Sequence, residues 1–286
     1  FRLLNLAKFT SVTGGTAGQS TGTRLNKVLD AVSCPSTQRD IDTGDTTVQA
    51  DAGDERTALD AAQLLGETEL GGVYMTGEGD VKFVSRSEAI KALDEITKKK
   101  KKYVLLTNAP RPNQAVKSFL EKLGLKKEIR DHVFTSGEAA LNYLKKNLLK
   151  KTFFHIGPPR DFDLFKNFKN KKTDTIEKSD YLLCTGLFDD HEEDLKYYKD
   201  LFGNNLEKKM ICTNPDLIVD RGNKRELCAG SVAMIFEKMG GEVVYFGKPY
   251  PEVYNQSIDN KNKKILSIGD NLNTDIKGAN LLNFDS

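Results

Sequence analysis

The chain has no tryptophan and few of the residues that mark whole classes of protein. Its four cysteines, Cys34, Cys184, Cys212 and Cys228, are far apart, and its three histidines are scattered. The lack of a Cys-x-x-Cys pair argues against a zinc ribbon or a disulfide framework and favours a reducing compartment. A net charge of only +2 over 286 residues gives no case for nucleic acid as the main partner. No apolar run reaches the length of about 20 residues that a transmembrane helix needs, so we expect a soluble protein.

Residues 1–66 differ in composition from the rest of the chain. The first 39 are rich in Ser, Thr and Gly and carry five basic residues against one acid, whereas residues 40–69 carry nine acids and one arginine. The basic, hydroxylated start is typical of mitochondrial transit segments, so the predicted location is the cytoplasm or, with such a segment, the mitochondrial matrix. A start at Phe1 rather than Met is consistent with a missing upstream piece. We expect an irregular or partly ordered extension with one short helix near residues 57–65.

After Gly72, short apolar runs alternate with amphipathic segments, which predicts an α/β fold with parallel sheets covered by helices. The segment 265–268 is expected to be a buried parallel strand because of its length and its Ile and Leu content. The predicted helices include 87–97, 113–123 and 230–239, and the predicted strands are 103–106, 153–156, 181–184, 210–213, 243–246 and 265–268.

Polar groups follow three of these strands directly. Thr107 and Asn108 follow the first strand, Lys248 follows the strand 243–246, and Asp270 follows the last one, with Asp275 five positions later. The carboxyl ends of parallel strands meet at one sheet edge, where open α/β sheets bind their ligands. A hydroxyl, an ammonium and two carboxylates suit a phosphoryl group and a Mg²⁺ ion. The alternative interpretation of the Asp270–Asp275 segment is a capped strand-to-helix turn.

This order of motifs resembles the haloacid dehalogenase-like (HAD) hydrolases, and in particular the class IIA, NagD-like branch. The segments 134–137, 184–190, 214–216 and 246–249 look like that branch as well. The resemblance implies that Thr107 binds the phosphoryl group, that Lys248 positions it, and that Asp270 and Asp275 bind Mg²⁺. It also implies a Rossmann-like core at 67–150 and 227–286, an inserted α/β cap at 151–226, and a divergent extension at 1–66. Asn108, Asn214 and Asp216 are the candidate substrate-binding residues.

Asn214-Pro215-Asp216 also has a structural interpretation, since this tripeptide favours a turn.

The nucleophile motif departs from the family pattern. The family attacks phosphate with an aspartate, and the register places Glu69 at that position and Gly71 at the position of the second acid. Glutamate is one methylene too long, and a misplacement of about 1 Å can cost about 10²-fold in rate. The segment 40–44 reads Asp-Ile-Asp-Thr-Gly, which is close to the Asp-x-Asp-x-Thr motif of the family, but no buried strand is predicted before it. The chain also stops at Ser286, earlier than the family does.

Two functional hypotheses follow. The first is a Mg²⁺-dependent phosphatase-like hydrolase that acts on a small phosphate ester and has a degenerate or displaced nucleophile. The alternative is a catalytically inactive HAD-like module that serves as a structural or binding subunit of a larger assembly, mitochondrial if the N-terminus is a transit segment, with residues 1–66 contacting a protein partner. Neither hypothesis includes nucleic acid binding or membrane insertion.

Overall fold

The computed structural model describes residues 7–9, 12, 14–51, 56–69, 72–76, 78–221, 224–258, 264–269 and 271–286. The chain divides into two compact units, Phe1–Lys101 and Lys102–Ser286. Asp270 and Gly71, both named in the sequence analysis, lie outside the described residues. Within the described part, no helix is long and apolar enough to cross a membrane.

The first unit combines helices with short strands. The helices are α1 (Thr21–Ala31), α2 (Ala58–Glu69) and α3 (Arg86–Lys98), and the strands are β1 (Lys8–Phe9), β2 (Gln19–Ser20), β3 (Arg39–Ile41), β4 (Thr47–Val48), β5 (Arg56–Thr57), β6 (Gly72–Met75) and β7 (Val81–Val84). Strand β3 pairs in parallel with β7, and β7 pairs in antiparallel with β6. Strand β1 pairs with β5, and β2 pairs with β4.

Helix α1 shows why the prediction of an irregular extension was wrong for these residues. Ser20 caps the helix by accepting a hydrogen bond from the Thr23 amide. Leu25, Val28 and Leu29 share one helical face and are buried in a core with the alanines of α2 and with Phe83. Each fully buried side chain of this size contributes about 1.5–3 kcal/mol. This apolar stripe covers only three positions, and a basic, Ser- and Thr-rich composition obscured it.

The second unit is built on a parallel sheet. Its strands are β8 (Leu105–Thr107), β9 (Val133–Thr135), β10 (Phe153–Ile156), β11 (Lys172–Thr173), β12 (Tyr181–Cys184), β13 (Lys209–Cys212), β14 (Ile218–Arg221), β15 (Lys224–Leu227) and β16 (Val243–Tyr245). Five of them form the parallel sheet, in the order β11-β10-β12-β13-β16. The parallel pair β8 and β9 lies in a separate sheet, and β14 pairs with β15 in antiparallel.

Helices connect these strands. The α-helices are α4 (Asn113–Lys122), α5 (Lys127–Arg130), α6 (Ser136–Tyr143), α7 (Leu195–Phe202), α8 (Ala229–Lys238), α9 (Pro251–Ser257) and α10 (Lys277–Leu281). Single turns of 3-10 helix occur at Ser36–Gln38 in the first unit and Asp189–His191 in the second, longer 3-10 segments at Pro159–Leu164 and Lys166–Lys171, and π-helical turns at Leu144–Leu148 and Leu272–Ile276.

The central strand β12 confirms the predicted parallel α/β fold. All four of its side chains are buried, as expected for a parallel strand covered on both faces. Tyr181 and Leu183 point into one apolar cluster, and Leu182 and Cys184 point into the other. This alternation places the core of the second unit on both sides of the five-stranded sheet.

The segment 265–268 was wrongly predicted to be a buried strand. It forms only an isolated parallel bridge, between Leu266 and Asp285. Leu266 is 65% exposed and Ile268 is 84% exposed. Among the described residues this segment has no longer strand pairing, so its apolar side chains are not covered.

The domain limits at 150/151 and 226/227 stay a prediction. Both fall inside the second unit. Strand β16, which was assigned to the core, hydrogen-bonds to β13, which was assigned to the cap. Any revised boundary therefore has to keep these two strands in one sheet.

Candidate functional site

Four of the predicted site residues come together in the second unit. Asn108 follows β8, Asp216 lies in the loop after β13, and Lys248 lies just after β16. Asp275 lies in the π-helical turn Leu272–Ile276. Direct hydrogen bonds link them in the order Asp216, Asn108, Lys248, Asp275.

Asn108 is the hub of this chain of contacts. Its Nδ2 donates to Asp216 Oδ1 at 2.8 Å and to the Lys248 carbonyl at 3.0 Å. Its Oδ1 accepts from the Lys248 amide at 2.7 Å. The side chain is 8% exposed, so these bonds are largely shielded from water. Asn108 therefore fixes the backbone of Lys248 from both sides of that residue.

Gly247 allows this close approach. Its φ is +128°, a conformation that residues with a side chain rarely adopt. A Cβ atom at this position would lie 2.5 Å from Pro215 Cδ and 2.7 Å from Asn108 Oδ1. The Lys248–Pro249 peptide that follows is cis. The glycine is thus required for the contact between the two loops.

The Lys248 ammonium donates to Asp275 Oδ1 at 2.6 Å. Both side chains are mostly buried, with 18% and 11% of their surface exposed. The second oxygen of Asp275 accepts a longer bond of 3.3 Å from the Asn271 amide. Gly269 packs against this carboxylate, since a Cβ there would lie 2.3 Å from Asp275 Cγ. Residue 269 can therefore lie this close to the Asp275 carboxylate only because glycine has no side chain.

Burial and polar neighbours act on the pKa of Asp216 in opposite directions. Burial raises its pKa, the hydrogen bond from Asn108 and the charge of Lys248 lower it, and the charge of Asp275 raises it further; the net shift is upward. The Asp216 amide donates to Asn214 Oδ1 at 3.0 Å. The Asn214 side chain is thereby used in the turn, which is the structural interpretation given above. The substrate-binding role of Asn214 stays a prediction.

Thr107 ends β8 and begins the loop that carries Asn108. Its hydroxyl accepts a bond of 3.3 Å from the Ala109 amide. The Ala109 carbonyl in turn accepts from the Ser136 hydroxyl at 2.9 Å and from the Gly137 amide at 3.1 Å. These bonds hold the loop against the start of α6. The predicted contact of Thr107 with phosphate is not tested by this geometry.

The donor set allows a metal but does not complete its site. Among the described residues, no group of three His, Cys, Asp or Glu side chains could hold an ion. Asp275 supplies a carboxylate whose Oδ2 accepts, from the described part of the chain, one long hydrogen bond from the Asn271 amide. Mg²⁺ commonly binds through one or two carboxylates, waters and a substrate phosphate, so Asp275 fits a partial ligand set.

Glu69, the residue aligned with the nucleophile, belongs to the first unit and is fully buried there. Its Oε2 accepts from the Thr21 hydroxyl at 2.8 Å and from the Thr46 amide at 2.9 Å, and its Oε1 accepts from the Asp45 amide at 2.9 Å. Burial raises the pKa of Glu69, but these hydrogen bonds stabilise the charged form and lower the pKa overall. Both oxygens are thus used in fixing the loop 43–46.

The variant Glu69→Gln is expected to destabilise the first unit at neutral pH by about 1–3 kcal/mol, because an amide NH₂ would meet a backbone donor. The pKa of Glu69 is lowered in the folded state, so this stabilisation is present above the ordinary pKa of glutamate and is lost as the pH falls. Hydrogen exchange of the α1 amides measures the difference. A gap between variant and wild type that persists unchanged in strong acid would contradict this role.

The alternative nucleophile motif lies in the same unit. As expected, no buried strand precedes it: Ser36–Gln38 is a 3-10 turn, and the short strand Arg39–Ile41, which pairs in parallel with β7, has no buried side chain. Asp40 is exposed and pairs with Lys82 at 2.7 Å. Asp42 Oδ2 accepts from the Ser85 amide at 2.8 Å. Asp40 therefore has a more accessible carboxylate than Glu69.

A further polar cluster was missed by the sequence analysis. His155 lies in β10, and its Nε2 lies 2.8 Å from the hydroxyl of Thr185, which follows β12. Asp161 Oδ1 lies 3.6 Å from Arg111 Nε. Burial raises the pKa of Asp161, and the charge of Arg111 and the Thr185 hydroxyl lower it against that effect. All of these side chains except Arg111 are buried. In the sequence, Thr185 lies directly after a predicted strand and within the segment 184–190, whereas His155 lies inside the predicted strand 153–156.

His155 should make the stability of the second unit depend on pH. Burial and the charge of Lys172 lower the pKa of His155 to about 3. The unfolded chain takes up a proton near pH 6.5 that the folded chain does not bind, so stability is lost as the pH falls from about 6.5 towards 3, by up to about 1.4 kcal/mol per pH unit. Chemical unfolding at several pH values should show this slope, and His155→Gln should flatten it. An NMR titration of His155 near pH 6.5 would contradict it.

Comparison with known proteins identifies the family of this chain. A family model described as haloacid dehalogenase-like hydrolase matches residues 85–170. A hydrolase of the haloacid dehalogenase-like family from Brucella suis is 30% identical, with a TM-score of 0.62 over 71% of this chain and 78% of that one. The chain belongs to the haloacid dehalogenase-like family. The resemblance to its class IIA branch, stated from the motifs, is confirmed.

Two further solved structures are similar to this chain. A double mutant of a thermostable NPPase from Geobacillus stearothermophilus is 26% identical, with a TM-score of 0.55 over 69% of this chain and 80% of that one. A p-nitrophenyl phosphatase from Archaeoglobus fulgidus is 16% identical, with a TM-score of 0.56 over 70% and 78%, and it shows the fold alone. A search of curated proteins found no match.

Proposed function

We propose that this HAD-like hydrolase is a Mg²⁺-dependent phosphatase that acts on a small phosphate ester. The observation that carries the proposal is the position of Lys248. Its ammonium lies 2.6 Å from Asp275, and its backbone is held on both sides by Asn108. A fixed, mostly buried positive charge next to a carboxylate suits a dianionic phosphoryl group and its metal. Charge stabilisation by such preorganised groups is the main source of catalysis in phosphoryl transfer.

Each residue has a role in this proposal. Lys248 and the Thr107 hydroxyl bind phosphoryl oxygens, and Asn108 holds Lys248 in place. Asp275, together with Asp270, holds Mg²⁺, which neutralises charge on the phosphoryl oxygens when it is bound. Asp216, which accepts a hydrogen bond from Asn108, contacts the alcohol part of the ester in this proposal.

The nucleophile is part of the same proposal. Glu69 uses both of its oxygens inside the first unit, which supports a degenerate position there. The exposed Asp40 carboxylate, directly within the strand Arg39–Ile41, supports a displaced nucleophile instead. Replacement of each residue in turn, Glu69→Gln and Asp40→Asn, identifies which carboxylate the reaction needs.

The experiment for the proposal is hydrolysis of a generic aryl phosphate by the purified full chain. Release of the phenol is expected with Mg²⁺, with loss of activity after chelation and in Asp270→Asn. The matched control is Asp285→Asn, which replaces an exposed aspartate in the same C-terminal region. Turnover that survives both chelation and Asp270→Asn, or no turnover with folded protein, would overturn the proposal.

The burial of Glu69 favours a second candidate function. A HAD-like module that binds a phosphorylated molecule without hydrolysing it would keep Lys248 and Asp275 and lack the nucleophile. It would serve as a binding or structural subunit of a larger assembly, with the first unit as the surface for a protein partner. Retention of phosphate binding without turnover, together with co-purification of a partner, separates this candidate from the phosphatase.

A further inference from the structure

The carboxyl edge of the five-stranded sheet carries two sets of polar groups. Strands β10, β12, β13 and β16 are all parallel, so their carboxyl ends lie at one edge. Lys248 and Asp216 follow β16 and β13, and Thr185 and Asp161 follow β12 and β10. The first set is the candidate phosphoryl site, and the second set has no part in the proposed reaction.

One loop reaches both sets. Asn108, in this loop, hydrogen-bonds Asp216 and Lys248. Arg111, three residues later, pairs with Asp161 at 3.6 Å. Three residues span at most about 10 Å between Cα atoms, so Arg111 is anchored within the length of a small phosphate ester from Asn108. The loop is fixed in turn by the Thr135 hydroxyl, which donates to the Arg111 carbonyl at 2.6 Å.

Buried polar side chains surround Asp161, the partner of Arg111. Burial raises the pKa of Asp161, and the Thr185 hydroxyl, which lies 2.8 Å from His155 Nε2, lowers it against that effect. Thr185 is 2% exposed and Asp161 is 6% exposed. Gly157 makes room for this cluster, since a Cβ there would lie 2.1 Å from the Thr185 hydroxyl.

Arg111 itself is open to solvent at one end. Its side chain is 48% exposed, and the nitrogen nearest to Asp161 is Nε. The two terminal nitrogens of the guanidinium are then directed away from Nε and can donate in parallel to a carboxylate or a phosphate, which is the geometry that arginine binds best. A buried carboxylate thus orients an exposed guanidinium at the ligand edge of the sheet.

We propose that Arg111 is a specificity-determining residue that selects phosphate esters whose alcohol part carries a second anionic group. Asp161 and Thr185 act as positioning residues for its guanidinium. The inference rests on the proposed phosphatase function for the first phosphoryl group. The second group is a carboxylate or a second phosphate, and both have the planar or tripodal oxygens that a guanidinium recognises.

The test compares three esters of equal chain length: an alkyl phosphate, the same phosphate with a terminal carboxylate, and the corresponding bisphosphate. In the wild type, kcat/KM for one of the two anionic esters should exceed that for the alkyl phosphate by about 10- to 100-fold. Arg111→Gln should reduce this ratio to about one, and Arg111→Lys should restore part of it. The anionic ester that the wild type prefers shows whether the second group recognised by Arg111 is a carboxylate or a phosphate.

The matched control is Arg160→Gln. Arg160 lies beside Asp161 in sequence and is also 48% exposed, but it pairs with Asp189 at 2.6 Å. Its replacement should leave the ratio unchanged. Thr185→Val should lower the ratio in part, and because a purely structural role would not change a ratio of substrates, this variant reports on positioning.

Failure of the inference and failure of the proposed function have different results. If no ester is hydrolysed, the phosphatase proposal fails, and calorimetric binding of the same three esters to the same variants still measures the preference. A wild-type ratio near one, or a ratio that Arg111→Gln does not change, overturns the role of Arg111 while aryl phosphate turnover continues.

Discussion

The variant Lys248→Met is expected to lower kcat for an aryl phosphate by about 10²- to 10³-fold, the usual cost of removing one preorganised group that stabilises transition-state charge. The Lys248 ammonium is held in position before any substrate arrives, by Asp275 at 2.6 Å and by the two backbone contacts to Asn108. Methionine keeps the length and the apolar stem of lysine and removes only the charge. Steady-state kinetics with saturating Mg²⁺ measures the loss.

The sheet itself provides a matched control. Lys209, at the start of β13, pairs with Glu242 at the same distance of 2.6 Å, but at the amino end of the strands. Lys209→Met should keep kcat within about twofold, because an exposed ion pair contributes little. Thermal unfolding confirms that both variants are folded at the assay temperature. Equal activity of Lys248→Met and Lys209→Met would contradict the role given to Lys248.

Asn108→Ala is expected to reduce both stability and activity. Three hydrogen bonds to part-buried partners are lost at about 1 kcal/mol each, so the free energy of unfolding should fall by about 3 kcal/mol. With its backbone no longer held, Lys248 can shift by about 1 Å, which lowers kcat by about 10²-fold. Denaturant unfolding and kinetics on the same preparation measure the two effects.

Asn142→Ala is the control for this variant. Asn142 is an exposed asparagine whose Nδ2 makes one bond of 3.2 Å to Gln256. Its replacement should change neither quantity appreciably. If Asn108→Ala loses stability but keeps full kcat, Asn108 stabilises the fold without positioning Lys248.

Much of the site could be predicted because it follows a rule of topology. Thr107, Asn108 and Lys248 each come directly after an apolar run, and parallel strands bring such positions to their carboxyl ends. Asp275 was expected near them after a buried strand, but the segment 265–268 before it forms only an isolated bridge. Asn108 meets Lys248, 140 positions away, although β8 and β16 lie in separate sheets, so this contact depends on the loops that follow the two strands.

The contacts that decide individual roles could not be predicted in this way. The Asn214 side chain caps its own turn, and Glu69 fixes a loop through hydrogen bonds to Thr21, Asp45 and Thr46. Both depend on side-chain geometry that residue type and spacing do not specify. The same is true of the pair of Arg111 with Asp161, whose residues are 50 positions apart and have no motif.

The segment 265–268 shows the limit of composition as evidence. Its Ile and Leu content is that of a buried strand, but burial depends on neighbours, and its one described bridge is to Asp285. Helix α1 shows the converse, since three apolar side chains at helical spacing are buried in a segment that looked irregular. In both cases the packing partners, and not the local pattern, determined the outcome.

The central claim is that the Asn108, Lys248 and Asp275 segments form a phosphoryl-binding edge. Calorimetric titration of the full chain with inorganic phosphate in the presence of Mg²⁺ tests it most directly, since binding does not depend on the identity of the nucleophile. The account predicts saturable binding to the wild type and to Lys209→Met, and a loss of at least about tenfold in affinity in Lys248→Met. Equal binding to all three proteins, or no binding to the wild type, would contradict it.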